Sequence, residues 1–151
     1  MTQEKKILYT ARVKVTGGRG GVGRTEDGKF EVQLKPPVEF GGQGDGANPE
    51  QLFGIGYAAC FESTLRALAR RAQLDPKGTA IDTRVHIVPR EDGPGNTLAV
   101  EMDVAMPNVA DPAAGADLIR QAHQTCPYSN ATRGNIDIRF TINGHPVDLT
   151  A

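Results

Sequence analysis

The sequence holds only two cysteines among its 151 residues, no closely spaced cysteine or histidine pairs, and no excess of charge of either sign. Each shortage excludes something. Its 17 basic and 18 acidic residues leave a formal charge of -1, so there is no electrostatic reason to expect nucleic acid or an anionic membrane as partner. The most apolar run, residues 52–61, is too short to span a bilayer and is broken by Gly54 and Gly56. Lys5 and Lys6 are not followed by an apolar core of signal-peptide length. The expectation is a cytoplasmic protein, where two cysteines do not serve as a permanent staple. No internal repeat, linker or low-complexity tract interrupts the chain, which is the size of one domain, residues 1–151.

What is present is a mixture of strand and helix patterns. Residues 7–15 alternate, with Ile7, Tyr9, Ala11, Val13 and Val15 on one face, which predicts a half-buried strand. A glycine-rich loop follows, then an extended piece over 22–25. Asp27-Gly28 marks a hairpin, and Phe30, Val32 and Leu34 form its returning strand up to Pro36-Pro37. Asn48-Pro49-Glu50 reads as a helix start, with an N-cap, a proline at the first position and an acid in the first turn. This helix is expected to run to about residue 73. Its first half is apolar almost all round, which predicts burial on every side, by sheet or by a second subunit. Residues 81–89 and 98–106 alternate about a polar turn, as a second hairpin. Asp111-Pro112 caps another helix with Leu118, Ile119 and Ala122 on its inner stripe, ending near Cys126 because Pro127 disfavours helical geometry before it. Residues 136–142 form a last strand. The order of elements predicts an α+β domain, with antiparallel sheets around a long central helix.

Two patterns are decoys. Residues 18–23, GRGGVG, match a dinucleotide-binding glycine fingerprint, but that motif must open a helix, and here it leads into a hairpin. His86, His123 and His145 lack metal-ligand spacing. His123 precedes Cys126 by one helical turn, so a cysteine–histidine hydrolase pair is conceivable, although an ordinary, partly exposed helix residue is the simpler reading.

A reactive cysteine works as the thiolate. Cys60 lies about three turns inside its helix, too far from the N-terminus for the dipole to help much, and an apolar site would raise its pKa. A nearby arginine held by a carboxylate would counter this. Arg19, alone among glycines, is a candidate; the plainer alternative is a solvated loop arginine. Either cysteine could equally be a small apolar filler.

The segments NPEQLFGIGYAACF (48–61) and CPYSNATRGNIDI (126–138), with TGGR at 16–19, resemble the cysteine motifs of the organic hydroperoxide resistance (Ohr) branch of the Ohr/OsmC family, over nearly the whole chain. The CPYSNATRGN segment distinguishes this branch from the OsmC relatives. The resemblance implies an OsmC-like fold and a peroxidase that reduces organic hydroperoxides in the oxidative stress response. It implies Cys60 as the attacking thiol, Cys126 as the resolving thiol, Arg19 as stabiliser of the thiolate and Glu50 as the carboxylate holding Arg19. It further implies an intrachain Cys60–Cys126 disulfide, reduced by a lipoyl dithiol on a lipoylated protein or by dihydrolipoamide. No cofactor is expected, neither metal, flavin nor haem, because the cysteines themselves carry the electrons.

Geometry adds one expectation. Ten residues of straight helix put Glu50 and Cys60 roughly 15 Å apart along the axis, so one arginine cannot easily touch both on the same helix. An intertwined homodimer is therefore expected, with Arg19 and Glu50 from one subunit and the cysteine pair from the other. The apolar residues Leu52, Phe53, Ile55, Phe61 and Met102 suit an alkyl peroxide. The alternative is a thiol redox sensor without rapid turnover, although no output domain accompanies the cysteines.

Overall fold

The computed structural model describes residues 4–151. The chain falls into two compact units, Met1–Pro49 and Glu50–Ala151.

The first unit carries a three-stranded antiparallel sheet of β1 (Val13–Thr16), β2 (Val22–Thr25) and β3 (Glu31–Gln33), in that order. The Asp27-Gly28 turn forms as expected, with Asp27 Oδ1 accepting from the Thr25 hydroxyl (2.7 Å) and the Lys29 N–H (3.1 Å). The glycine-rich segment leads into β2 and not into a helix, so the dinucleotide fingerprint has no structural counterpart. The expected strand over 7–15 is shorter than its alternation suggested. Pairing begins at Val13, opposite Thr25, because β2 has turned away by Asp27 and the earlier residues find no ladder. Ile7, Leu8 and Tyr9 are 77%, 88% and 84% exposed.

In the second unit, α1 (Pro49–Arg71) starts where Asn48-Pro49 indicated. It ends with Gln73 in the left-handed region (φ 59°), where the Leu74 N–H reaches the Ala69 carbonyl and the Gln73 N–H that of Arg70, a Schellman closure. Its buried positions, Gly54, Tyr57, Phe61, Leu65 and Ala69, form one stripe at helical spacing. Ile55 and Ala59 on the opposite face are exposed in the single chain, because packing within the chain covers one face of the helix and its rotation of about 100° per residue turns these two away from it, so the expected burial on that side is left to a second subunit.

The long hairpin of β4 (Ala80–Pro89) and β5 (Asn96–Ala105) pairs Ile81 with Val104 and Val85 with Val100. Helix α2 (Pro112–Thr125) follows, and the Asp111 carboxylate caps its Ala113 N–H at 3.0 Å. Next come α3 (Pro127–Thr132), β6 (Asp137–Ile142) and β7 (His145–Pro146). The sheet order is β4-β5-β6-β7, and β6 lies parallel to β5. The second sheet is mixed, not wholly antiparallel, because α2 and α3 carry the chain back across the sheet in a crossover before β6. β7 is joined to β6 by Asn143-Gly144, both at positive φ (49° and 82°), the turn such a dipeptide favours. The Asn143 amide also bonds the Met106 N–H and the Met106 and Val109 carbonyls. The core joins the α1 stripe to Val100, Met102, Val104, Phe140 and Ile142 of the sheet and to Leu118, Ile119 and Ala122 of α2.

His123 is not partly exposed; it is 6% exposed, its ring edge-on to Phe140 at 5.5 Å. Its Nδ1 has no hydrogen-bond partner among the described residues. Burial pushes the imidazole below its ordinary 6.5, and the Arg133 charge adds to the shift. In the unfolded chain the same imidazole titrates near its ordinary value. As pH falls through about 6.5 the unfolded state takes up a proton that the folded state resists, so stability present above that pH is lost below it. We expect urea unfolding to show a weaker loss of stability between pH 7.5 and 5.5 in His123→Phe than in the parent. Equal losses would show that His123 does not drive the dependence.

Candidate active site

The site is built on one face of α1. Positions 53, 56, 57 and 60 follow helical spacing, so Phe53, Gly56, Tyr57 and Cys60 lie side by side along about two turns. The helix α3 lies against them. Cys126 is extended (φ -63°, ψ 128°), as a residue before proline must be, and Pro127 then takes the first position of α3. The chain breaks at Cys126 and restarts at once, which places the Cys126 side chain at the corner between two helices.

Gly56 leaves room for the Tyr128 ring beside α1. A Cβ there would stand 2.9 Å from the Tyr128 hydroxyl oxygen. The Tyr128 ring instead stacks on that of Tyr57, with centroids 5.6 Å apart, and meets Phe53 edge-on at 6.4 Å. Beneath the rings, the Tyr57 hydroxyl lies 2.8 Å from Ser129 Oγ and 3.2 Å from Thr132 Oγ1. Thr132 Oγ1 donates to the Tyr128 carbonyl at 2.9 Å, so the Tyr57 hydroxyl donates to Thr132 and accepts from Ser129. Burial pushes the Tyr57 phenol up, which keeps it a donor. On the far side, Arg133 ties the corner with 2.7 Å bonds to the His123 carbonyl and Asn130 Oδ1.

The outcome is a thiol pair. Cys60 and Cys126 are free cysteines with sulfurs 3.5 Å apart, Cys126 Sγ donating to Cys60 Sγ. Cys60 is half-buried, whereas Cys126 is 0% exposed. Burial pushes the Cys60 thiol up, and the second sulfur adds to this, since two thiolates at this distance repel. The Tyr128 N–H works the other way, towards the thiolate.

The other two sequence candidates are carried by other segments of the chain. Glu50 sits in the first turn of α1, the same helix as Cys60 and ten residues earlier, or roughly 15 Å by helical rise. Arg19 belongs to the first unit, in the single turn Gly18–Gly20. The preceding residue, Gly17, is left-handed (φ 79°), and a Cβ there would come within 2.8 Å of Gly21 Cα. The guanidinium lies 5.7 Å from the centroid of the Phe40 ring. Of the apolar residues expected near the thiol, Phe61 and Met102 are buried core and Ile55 is 67% exposed. Among the described residues no cluster of side chains could hold a metal ion, and no helix is long and apolar enough to cross a membrane. Sequence reasoning missed Gly56, Tyr57, Tyr128, Ser129 and Thr132. The signal was the spacing of Ser129 and Thr132, one helical turn apart, behind a proline.

Comparison with known proteins follows the same lines. Residues 42–141 match the family model of OsmC-like proteins. The chain is 45% identical over 144 residues to the organic hydroperoxide resistance protein of Xanthomonas axonopodis pv. citri, covering 94% of this chain and 99% of that one. The crystal structure of an organic hydroperoxide resistance protein from Elizabethkingia anophelis superposes with a TM-score of 0.83 at 42% identity, covering 91% of this chain and 98% of that one. That of OhrB from Bacillus subtilis gives 0.79 at 34%, covering 91% and 100%.

The sulfur geometry makes a direct prediction. Mild oxidation with diamide should remove both free thiols, counted with Ellman's reagent, while the protein stays a single chain on non-reducing gels. Covalent dimers, or loss of one thiol only, would contradict the pairing.

Proposed function

The chain belongs to the OsmC-like family, among its organic hydroperoxide resistance proteins, and from that premise we propose that it is a cysteine-based peroxidase that reduces organic hydroperoxides to alcohols. Family membership supports a peroxide-detoxifying role. The observation that supports the finer reading is the unequal exposure of two sulfurs in contact: Cys60 is partly exposed, and Cys126 is buried with its sulfur 3.5 Å from that of Cys60.

In this reading the Cys60 thiolate attacks the distal oxygen of the hydroperoxide. The S–O bond forms, the O–O bond breaks, and the proton stays on the transferred oxygen. Cys60 becomes a sulfenic acid, and the alkoxide takes a proton from water and leaves as the alcohol. Cys126 then attacks the Cys60 sulfur. The disulfide forms, the hydroxyl leaves with the proton from Cys126 as water, and Cys60 is protected from further oxidation. A lipoyl dithiol, free or on a lipoylated protein, returns two electrons and two protons by exchange and closes to its own cyclic disulfide.

Burial opposes ionisation of Cys60, so the thiolate needs a cation. Arg19 supplies it, held by Glu50. The length of α1 between Glu50 and Cys60 supports a site shared across a homodimer, with Arg19 and Glu50 from one subunit and the cysteines from the other. The exposed apolar side chains Ile7, Leu8, Tyr9 and Ile55 support a partner surface. The whole chain, 1–151, is read as one OsmC-like domain, in keeping with a relative matched over nearly its full length.

The test is steady-state consumption of cumene or tert-butyl hydroperoxide with dihydrolipoamide, with hydrogen peroxide as control. We expect many turnovers on the organic peroxides, fewer on hydrogen peroxide, and complete loss in Cys60→Ser. At most one turnover per cysteine pair would defeat the enzymatic reading.

Sharing of the site has its own test. Arg19→Ala and Cys60→Ser are each expected to be inactive, but subunits exchanged between them should recover activity, because one site of each mixed dimer then has both residues intact. No recovery after verified exchange would place Arg19 and Cys60 of one subunit together.

A further inference from the structure

The reading above assigns four residues and leaves unexplained why a buried hydroxyl cluster stands one turn from the attacking sulfur. We propose that Tyr57 is a positioning residue for the resolving step, its hydroxyl fastening α3 so that Cys126 stays in contact with Cys60. The proposal rests on the roles given to the two cysteines in the previous subsection.

α3 spans only Pro127–Thr132, too short to hold its own shape in water, so contacts decide where it lies. Arg133 ties it to α2. Across to α1, the helix that carries Cys60, the Tyr57 hydroxyl bonds Ser129 and Thr132, beside the Tyr128 N–H that meets the Cys60 sulfur itself. Both partner residues are buried, Ser129 completely, so water does not replace a bond that is lost. Tyr57 precedes Cys60 by three residues on the same face, and Ser129 follows Cys126 by three. The bond therefore closes a small frame in which the 3.5 Å sulfur contact is the opposite side.

This matters most after the first chemical step. Disulfide formation must bring the sulfurs to about 2 Å, and a displacement of 1 Å at a reacting pair can cost on the order of a hundredfold in rate. A half-exposed Cys60 sulfenic acid that waits for its partner can meet a second hydroperoxide, which takes it to the sulfinic acid and yields a second alcohol. The frame thus sets the partition between disulfide and over-oxidation, while the first attack on peroxide needs only Cys60.

The test is Tyr57→Phe, which keeps the ring and removes only the oxygen. In a rapid-quench turnover with one equivalent of cumene hydroperoxide, followed by mass spectrometry, Cys60 should be oxidised within about twofold of the parent rate. Disulfide formation should slow by about tenfold, and excess peroxide should leave more Cys60 sulfinic acid. Ser129→Ala, which spares the Tyr57–Thr132 bond, should shift the same partition less and serves if Tyr57→Phe folds poorly. Parent-like disulfide formation and sulfinic yield in both variants would overturn the proposal. If the parent itself fails to react with the hydroperoxide, the catalytic reading fails instead. Closure of the Cys60–diamide adduct then decides for Tyr57 alone: slower closure in Tyr57→Phe upholds the frame, and an equal rate removes it.

Discussion

The contact between α3 and the Phe53–Cys60 face of α1 is the constraint on which the site depends. Gly56 gives the Tyr128 ring room against the helix, and the Tyr57 hydroxyl gives the polar side of α3 a partner. With both in place, Cys126 has nowhere to be but against Cys60. A methyl group at 56 acts on the same contact from the apolar side. Residues far from the sulfurs by their own chemistry therefore govern how the sulfurs meet.

The same packing creates an electrostatic problem. Enclosure hides Cys126, but it also pushes the Cys60 thiol up, against the thiolate that the proposed chemistry requires. The Tyr128 N–H offsets part of this from the backbone. A full positive charge would offset more, which is the part the proposal gives to Arg19.

Much of the architecture was legible because punctuation residues have fixed meanings. Asn48-Pro49 and Asp111-Pro112 marked two helix starts to within a residue, and the alternation of 81–89 and 98–106 marked the long hairpin. Pro127 shows the limit of that rule: a proline that ends one helix can begin the next, and here it opens α3, the seat of Cys126. Asn143-Gly144 carries an equally plain turn signal. The parallel pairing of β5 and β6 was hidden for a different reason, since alternation says which face a strand buries and nothing about which way its neighbour runs. The strand over 7–12 failed because alternation is necessary for a half-buried strand but pairing makes it one. Motif resemblance pointed to the two cysteines that the fold brings together, whereas Tyr57, Ser129 and Thr132 take their place only through contact between segments 72 residues or more apart.

Cys126 stands in the crossover between two parallel strands, and Cys60 stands 66 residues earlier in the chain. A bond between them would close a loop of that length, and in the chain-entropy account such closure removes about 4 kcal/mol of freedom from the unfolded chain. The oxidised protein would then resist unfolding more than the reduced one, in proportion to a constraint that acts on the denatured state. Each cycle would carry the molecule between a tighter and a looser version of one fold, and a cell short of reductant would accumulate the version better able to survive heat and proteolysis.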